Sequence, residues 1–279
     1  MTIKELKVYF RQIANERLPR HWLDGWLKFV LKQDDVFLMV HDDYEPNDDE
    51  LTRLHDGIRQ MQQGIPLGYL LGYQGFFGHE FVINRHTLIP RADTELLVQS
   101  VLDVVGVRGL RSGRILDMGT GSGCIAISLD RALSNISADF GVVACDVSEQ
   151  ALVVAKQNNQ RLGANCTFVQ SNWYDNITGR FDFIVSNPPY IDKADEHLQD
   201  LKVEPMTALV ADDGGLADIK LIAKSSQDYL NPNGVLMVEH GHTQGGAVRD
   251  IFTEVGLSGV HTIQDYGGND RVTMGVCRG

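Results

Sequence analysis

The sequence has few cysteines, and their spacing does not fit a crosslinked or metal-binding fold. Among its 279 residues are Cys124, Cys145, Cys166 and Cys277, with no C-x-x-C pair. Disulfide frameworks and zinc sites depend on paired or closely spaced ligands. We therefore expect reduced thiols and no metal site.

Long apolar runs are also missing. No stretch approaches the roughly 18 consecutive apolar residues that a membrane-spanning helix needs. The first turn carries Lys4, Glu5 and Lys7 and has no apolar core followed by a small-residue cleavage site, which argues against a secretory signal. These absences predict a cytoplasmic protein without a membrane partner.

Positive charge is scarce as well. The chain has 25 Lys and Arg residues against 37 Asp and Glu residues, for a net charge of -12. Affinity for nucleic acid depends largely on neutralising phosphates. Direct nucleic-acid binding is therefore not expected.

The N-terminal segment has helical patterns. Thr2 and Glu5 form a T-x-x-E capping box ahead of a first helix, apolar residues at helical spacing mark a second within residues 22–31, and Asn47 with Glu50 caps a third. Further on, Gly78 between aromatic residues predicts the turn of a hairpin. We predict a helical substrate-recognition domain over residues 1–65, a hairpin connector over 66–92 and a larger domain over 93–279.

The larger domain alternates strand and helix patterns. This βαβ rhythm predicts an α/β fold with a mostly parallel, doubly wound sheet. The last two strands are joined by a short connection and should pair antiparallel. The predicted strands cover residues 114–118, 142–145, 167–169, 181–186, 235–238, 259–263 and 272–276.

The first of these strands runs into a glycine-rich turn, formed by Gly119, Thr120, Gly121, Ser122 and Gly123. Glycines let the backbone turn tightly and approach a ligand closely, and the helix that follows presents free N–H groups. The pattern G-x-G-x-G differs from the G-x-G-x-x-G of dinucleotide binders. It favours a nucleotide-type ligand without separating NAD from S-adenosylmethionine (SAM).

Two later positions are candidates to complete such a site. Asp146 ends the second strand, where a carboxylate can accept the hydroxyls of a ribose, although with Ser148 it could instead cap the next helix. Asn172 and Trp173 offer an amide and an aromatic face to an adenine ring. The alternative for Trp173 is a place in the core.

The fourth strand ends in Asn187, Pro188, Pro189 and Tyr190. Consecutive prolines make this loop stiff, and it follows the strand end where open α/β sheets bind ligands. The Asn187 side-chain carbonyl and the Pro188 backbone carbonyl can accept both N–H bonds of a planar NH2 group, while Tyr190 offers a wall for stacking. These acceptors would stabilise positive charge on a nitrogen that attacks the methyl group of SAM.

With these motifs, the sequence resembles the protein-(glutamine-N5) methyltransferases that act on peptide chain release factors, the HemK/PrmC family. The resemblance is nearly full length. It rests on residues 88–91, 93–95, 117–123, 146, 173, 187–190, 204–205, 208–209, 214–216, 239, 241 and 269–272.

The resemblance implies a Rossmann-like, seven-stranded class I methyltransferase domain with a small N-terminal helical domain and a hairpin connector. It also implies SAM as the cofactor and the glutamine of a Gly-Gly-Gln motif in class I release factors as the substrate. We expect a monomer. Asn172 stands where the family usually has an acid, which puts the adenine contact there in question.

Two other functions use related motifs. An N6-adenine nucleic-acid methyltransferase would use the same loop, but it needs base extrusion and usually a basic binding surface. A non-catalytic SAM-binding regulatory protein would not need the Asn-Pro-Pro-Tyr loop. His240 and His242 lack a third ligand, so a metal site there is not expected, and we expect Arg91 to form a structural ion pair.

Overall fold

The chain forms two compact units in the computed structural model, which describes residues 1–136, 138–195, 198, 201 and 203–278. One unit comprises Met1–Tyr73 with Gln199–Val203, and the other Gln74–Leu198 with Glu204–Gly279. Residue 279, the predicted end of the larger domain, lies outside the described residues. Among the described helices, none combines the length and the apolar character that crossing a bilayer demands.

The first unit is helical, and both predicted capping boxes are confirmed. Thr2 and Glu5 exchange backbone and side-chain hydrogen bonds of 2.9 and 3.2 Å, and Asn47 and Glu50 do the same at 2.9 and 3.0 Å. Each box satisfies two backbone N–H groups that the first turn of a helix leaves free. The helices are α1 (Ile3–Ile13), α2 (Arg20–Leu31), α3 (Asp35–Val40), α4 (Asp48–Gln62) and α5 (Leu67–Leu71).

Helices α3 and α5 are absent from the sequence-based expectation. Helix α3 begins after Asp34, whose side chain accepts a hydrogen bond from the Phe37 N–H at 2.8 Å. Helix α5 lies between Pro66 and Gly72, inside the segment predicted to be a hairpin connector. Both are too short for a 3.6-residue period to be recognised.

Packing between α2 and α4 depends on one glycine. The indole N–H of Trp26 donates to the carbonyl oxygens of Arg53 and Leu54, each at 3.3 Å. These bonds hold the ring close to the backbone of α4. A Cβ at Gly57 would stand 2.1–2.4 Å from three atoms of that ring, so this position has no room for a side chain.

A two-stranded hairpin opens the second unit, with β1 (Tyr73–Phe76) and β2 (His79–Val82). The turn is formed by Phe77 and Gly78, which have φ values of 46° and 74°. Positive φ at both central residues suits the twist of a two-residue hairpin turn. The predicted hairpin and its turn at Gly78 are confirmed.

The main sheet has seven strands, and each of the predicted strands is present. The strands are β3 (Ser112–Met118), β4 (Asp139–Asp146), β5 (Thr167–Gln170), β6 (Phe181–Ser186), β9 (Leu230–Glu239), β10 (Ser258–Gln264) and β11 (Asp270–Val276). Their order in the sheet is β10-β11-β9-β6-β3-β4-β5, with β11 antiparallel to both neighbours and the other pairs parallel. Strand β9 begins five residues before the predicted start at residue 235. The sequence pattern misses this part of the strand because Pro232, Asn233 and Gly234 are typical turn residues.

Helices cover both faces of this sheet because successive strand residues point to opposite sides. These helices are α6 (Glu95–Arg108), α7 (Cys124–Asn135), α8 (Glu149–Leu162), α9 (Asp212–Gly215), α10 (Ala217–Tyr229) and α11 (Gly245–Glu254). In β3, Ile115 packs in the cluster that contains α6 and α7, whereas Leu116 and Met118 pack in the cluster that contains α10 and α11. A short parallel pair, β7 (Ile191–Asp192) with β8 (Val210–Ala211), lies outside the main sheet.

Substituting Gly57→Ala should destabilise the first unit by about 1–3 kcal/mol, because overpacking against Trp26 outweighs the helix propensity of alanine. Gly106→Ala is the matched control, since a Cβ there meets nothing within 4 Å, and it should stabilise the protein slightly. Denaturant unfolding of the two variants beside the wild type measures both effects. Equal stability of the Gly57 variant and the wild type would contradict the packing argument.

Candidate active site

The glycine-rich turn joins β3 to α7, and its glycines have two different uses. Gly119, Gly121 and Gly123 all have positive φ, at 72°, 55° and 83°. A Cβ on Gly123 would lie 2.9 Å from Ile127 and 3.2 Å from the Cβ of Ala155, so this glycine allows α7 and α8 to approach each other. Gly119 and Gly121 instead line a cavity.

A buried carboxylate holds this turn from below. Asp117 accepts a hydrogen bond of 2.6 Å from the Thr120 hydroxyl and one of 3.2 Å from the Ala126 N–H. Burial raises the pKa of Asp117 to about 7. The Thr120 side chain is thereby turned toward Asp117. Thr120 and Ser122 line a small recess beside the cavity, and Gly123 lines neither the cavity nor the recess.

Asp146 lies at the end of β4, and its contact with a ribose stays a prediction. It lines the cavity, and its two oxygens accept hydrogen bonds from the N–H groups of Gly121 at 2.8 Å and Ser148 at 2.9 Å. Ser148 itself caps α8 by accepting from the Ala151 N–H at 3.2 Å. Burial raises the pKa of Asp146, and these backbone bonds oppose that rise. Each carboxylate oxygen retains a lone pair for a ligand hydroxyl.

The cavity lies at the carboxyl ends of β3, β4, β5 and β6 and has a volume of about 350 Å³. Its lining brings together several of the predicted residues: Gly119, Gly121, Asp146, Trp173, Asn187 and Pro189, together with Asn172. It also includes parts of segments 85–88 and 205–208 and the side of α10 at Asp218. Apart from Leu88, Pro205 and Ala208, which belong to the resemblance, no sequence signal marks those lining residues.

Trp173 forms part of one wall. Its ring lies 3.8 Å from the position of a Cβ on Gly119, and its φ is 48°. Part of the ring also packs on the apolar cluster next to α10, as the core interpretation predicts, and its stacking on an adenine ring stays a prediction. The neighbouring Asn172 is exposed, with its amide 3.4 Å from Asp175.

The Asn-Pro-Pro-Tyr loop starts where β6 ends beside β3. The Ser186 hydroxyl donates to the Met118 carbonyl at 2.8 Å and joins the two strand ends. The Asn187 side chain donates its NH2 group to the Thr94 hydroxyl at 3.0 Å. This orientation leaves the Oδ1 atom of Asn187 to other partners.

The far end of the loop is fixed through its backbone. The Gln244 side chain donates to the carbonyl oxygens of Tyr190 and Gly214, both at 3.0 Å, and accepts from the Gly241 N–H at 2.8 Å. A Cβ on Gly215 would stand 2.1 Å from the Tyr190 carbonyl oxygen. Close backbone approach therefore requires glycine at residue 215.

Tyr190 and Pro188 do not line the cavity. Pro188 is buried, and the Tyr190 hydroxyl lies 3.5 Å from Oε1 of Glu239. Burial and the nearby Glu239 raise the pKa of Tyr190 well above its ordinary value. The loop thus presents Asn187 and Pro189 to the cavity and directs Tyr190 toward a buried carboxylate.

Other candidate groups have structural partners. Arg91 forms an ion pair with the buried Glu204, which also accepts a hydrogen bond from the Ile89 N–H at 3.1 Å, so the predicted structural pairing of Arg91 is confirmed. His240 contacts the Thr273 hydroxyl at 2.8 Å. Among the described residues, no group of three or more His, Cys, Asp or Glu side chains is arranged to hold a metal ion. The four cysteines are free thiols.

The lining chemistry fits SAM. A cavity of this volume accommodates a small-molecule cofactor, for which about 300–1,000 Å³ is usual. Asp146 offers acceptors for a ribose diol, and Trp173 offers an aromatic face.

Comparisons with known proteins agree with this geometry. A family model described as "Methyltransferase small domain" matches residues 92–255, and one described as "PrmC N-terminal domain" matches residues 7–72. The solved structure of a methyltransferase from Pyrococcus furiosus has a similar fold, with a TM-score of 0.53 and 18% sequence identity. The similarity covers 78% of this chain and 98% of the Pyrococcus furiosus chain. The fold and the family model define a Rossmann-like, SAM-dependent methyltransferase.

The relatives narrow the class to one family. A protein of Haemophilus influenzae named release factor glutamine methyltransferase is 41% identical over 85% of each chain. A protein of the same name from Escherichia coli is 37% identical over 97% of this chain and 96% of its own. The chain therefore belongs to the release factor glutamine methyltransferase family.

Asp146→Ala should weaken SAM binding about tenfold to a hundredfold, because a charged acceptor of ligand hydroxyls is lost. Calorimetric titration with SAM measures the change, and thermal unfolding without ligand reports how much the lost bonds to Gly121 and Ser148 matter for the fold. Unchanged SAM affinity would refute a contact between Asp146 and SAM and leave Asp146 only its bonds to the backbone.

Proposed function

We propose that this enzyme transfers the methyl group of SAM to the side-chain amide nitrogen of the glutamine in the Gly-Gly-Gln motif of class I release factors. Family membership supports the reaction and the substrate. The observation that carries the chemistry is the Asn187 amide, whose NH2 group is engaged by Thr94 at 3.0 Å. In that orientation the side-chain carbonyl oxygen of Asn187, a residue that lines the cavity, is left to accept an N–H bond.

An amide nitrogen is a poor nucleophile because its lone pair is delocalised. SAM supplies an electrophilic methyl group when bound. Asn187 Oδ1 and the Pro188 backbone carbonyl would accept the two N–H bonds of the glutamine amide and orient its nitrogen. Fixed acceptors at that point stabilise positive charge as it develops, and they need no reorganisation.

The rigidity of the loop supports this role. Two prolines restrict its backbone, and Gln244 holds the Tyr190 carbonyl at 3.0 Å. Positioning of the reacting groups can lower the activation free energy of a two-substrate reaction by roughly 7–11 kcal/mol. Tyr190 would support the glutamine through its ring, and no general base is required because a methylated, cationic amide loses its proton readily to water.

We propose that the helical segment over residues 1–65 recognises the protein substrate and that residues 93–279 form the methyltransferase domain. Residues 66–92 would connect these two parts. Three apolar side chains on α3, those of Val36, Met39 and Val40, are 66–75% exposed. Clustered exposed apolar groups are typical of contact surfaces. We further propose that the enzyme acts as a cytoplasmic monomer without direct contact to nucleic acid.

Asn187→Ala should reduce kcat about a hundredfold or more, because one preorganised acceptor of the reacting group is lost, while SAM affinity changes little. Tyr190→Phe is the milder comparison, since the ring is retained. Radiolabelled methyl transfer to release factor measures kcat, and calorimetry measures SAM binding. Near wild-type turnover by the Asn187 variant would refute the orienting role.

Folded release factor should be a much better substrate than a short peptide with the same Gly-Gly-Gln motif. Contacts far from the glutamine help to orient it, and ordering a free peptide costs roughly 1–2 kcal/mol per fixed residue. Deleting residues 1–65 should therefore impair methylation of the intact protein more than that of the peptide.

A less disruptive variant and a control for correct folding accompany the deletion. Replacing Val36, Met39 and Val40 with serine should reduce protein methylation and leave peptide methylation unchanged, and SAM affinity should stay at the wild-type level in both variants. Mass spectrometry locates the methyl groups. Equal rates on peptide and protein would refute the recognition role, and methyl groups on adenine instead of glutamine would refute the proposed substrate.

A further inference from the structure

A short 3₁₀ turn in front of α6, formed by Ala92–Thr94, supplies the partner of the Asn187 amide. The Thr94 hydroxyl accepts the Asn187 NH2 group at 3.0 Å. Thr94 is 2% exposed, so its hydroxyl has little access to water as a substitute partner. The orientation of the Asn187 amide therefore depends on where the turn holds Thr94.

The turn has little structure of its own. It is three residues long and no side chain caps it. The Thr94 N–H donates to the Arg91 carbonyl oxygen at 3.2 Å, which closes the turn without joining it to the sheet. Helix α6 packs in the core through Leu97 and Val98 and so fixes the C-terminal end of the turn. The rest of the turn must be fixed by its side chains.

Two ion pairs hold the turn through those side chains. Arg91, which precedes the turn, pairs with the buried Glu204. Within the turn, Oδ2 of Asp93 lies 2.9 Å from Nη2 of Arg271. Asp93 directly precedes Thr94 in the sequence. The pair with Arg271 is therefore the ion pair nearest along the chain to the hydroxyl that Asn187 uses.

Arg271 is itself held in place. Its Nε donates to Oδ2 of Asp265 at 3.0 Å, and its side chain is 19% exposed. The other oxygen of Asp265 accepts from the N–H groups of Gly267 at 2.8 Å and Asn269 at 2.9 Å. The Arg271 carbonyl accepts from the His240 N–H at 2.9 Å. The guanidinium thus lies between two carboxylates, and its planar fork fixes the directions of both donors.

We propose that Arg271 is a positioning residue for methyl transfer: through Asp93 it holds the turn that presents the Thr94 hydroxyl to Asn187. The inference rests on the proposed function, because the orientation of the amide matters for turnover only if Asn187 Oδ1 accepts the substrate. Arg271 lines neither the cavity nor the recess beside it, so it acts through Asp93.

Magnitudes separate this role from a contribution to stability. The Asp93 side chain is 48% exposed, and ion pairs with such exposure contribute little to the free energy of unfolding. A displacement of about 1 Å in the groups that align a reaction can lower its rate about a hundredfold. Loss of the pair should therefore change turnover far more than the melting temperature.

Arg271→Met, which retains the length of the side chain and removes its donors, should lower kcat about 10- to 100-fold with little change in KM for SAM. Asp93→Ala should also lower kcat, and the double variant should lose no more than Arg271→Met alone, because both substitutions break one pair. Arg271→Lys should recover only part of the activity, since an ammonium lacks the planar fork. Methyl transfer to release factor measures kcat, and thermal unfolding checks the fold.

Arg249→Met is the matched control. Arg249 pairs with Asp270, the residue before Arg271, at 3.4 Å and donates to the Thr262 hydroxyl at 2.7 Å. Neither contact involves the turn, so kcat should stay within about twofold of the wild type. A loss in this variant as large as that in Arg271→Met would show a general effect of lost ion pairs and would overturn the proposal.

A spectroscopic measurement follows Asn187 without any substrate. With 15N-labelled asparagine, its side-chain NH2 resonances should move in Arg271→Met and Asp93→Ala towards their positions in Thr94→Val, and they should stay at the wild-type positions in Arg249→Met. If they move in this way but the wild-type enzyme fails to methylate release factor, the placing of Asn187 by Arg271 is upheld and only the proposed function fails. Resonances that do not move in Arg271→Met and Asp93→Ala would overturn the role of Arg271.

Discussion

The adjacency of β3 and β6 in the parallel sheet is the constraint on which the site depends. Residues Met118 and Ser186 are register partners, and the Ser186 hydroxyl bonds to the Met118 carbonyl. One strand continues into the glycine-rich turn and the other into the Asn-Pro-Pro-Tyr loop. Because the chain crosses from one half of the sheet to the other between these strands, their ends open a crevice that neither half would form alone. The glycine-rich turn and the Asn187 side chain thereby meet at one cavity.

Buried acids organise this edge, each at the end of a different strand. Asp117 holds the glycine-rich turn from β3, Asp146 holds the same turn from β4, and Glu239 lies under the catalytic loop at the end of β9. Every one of them accepts hydrogen bonds from backbone or hydroxyl donors, which offsets part of the cost of burial. These buried carboxylates therefore serve as fixed hydrogen-bond acceptors that shape the loops. Their role differs from that of the acidic groups on the protein surface.

Local patterns predicted the strands, the capping boxes and the loop motifs because these depend on neighbouring residues. Strand β6 is apolar at Phe181, Phe183, Ile184 and Val185, and the prolines after it have few possible conformations. Contacts between distant segments have no such signature: Thr94 and Asn187 are 93 residues apart in sequence, and Tyr190 and Glu239 are 49 apart. For the same reason, Asp218 was not anticipated as part of the cavity wall. The short helices α3 and α5 fall below the length at which periodicity is recognisable, so the helical domain contains more structure than its sequence pattern indicates.

One asparagine in α8 joins the hairpin to the glycine-rich turn. Asn158 is fully buried. Its side-chain oxygen accepts from the N–H of Val82 at 2.8 Å, and its NH2 group donates to the carbonyl oxygens of Val82 and Ser122, both at 2.9 Å. A single side chain thus links two segments that are distant in the sequence. Because coupling free energy is reciprocal, a ligand that ordered the turn would also stabilise the hairpin, and a change in the hairpin would alter the affinity for that ligand.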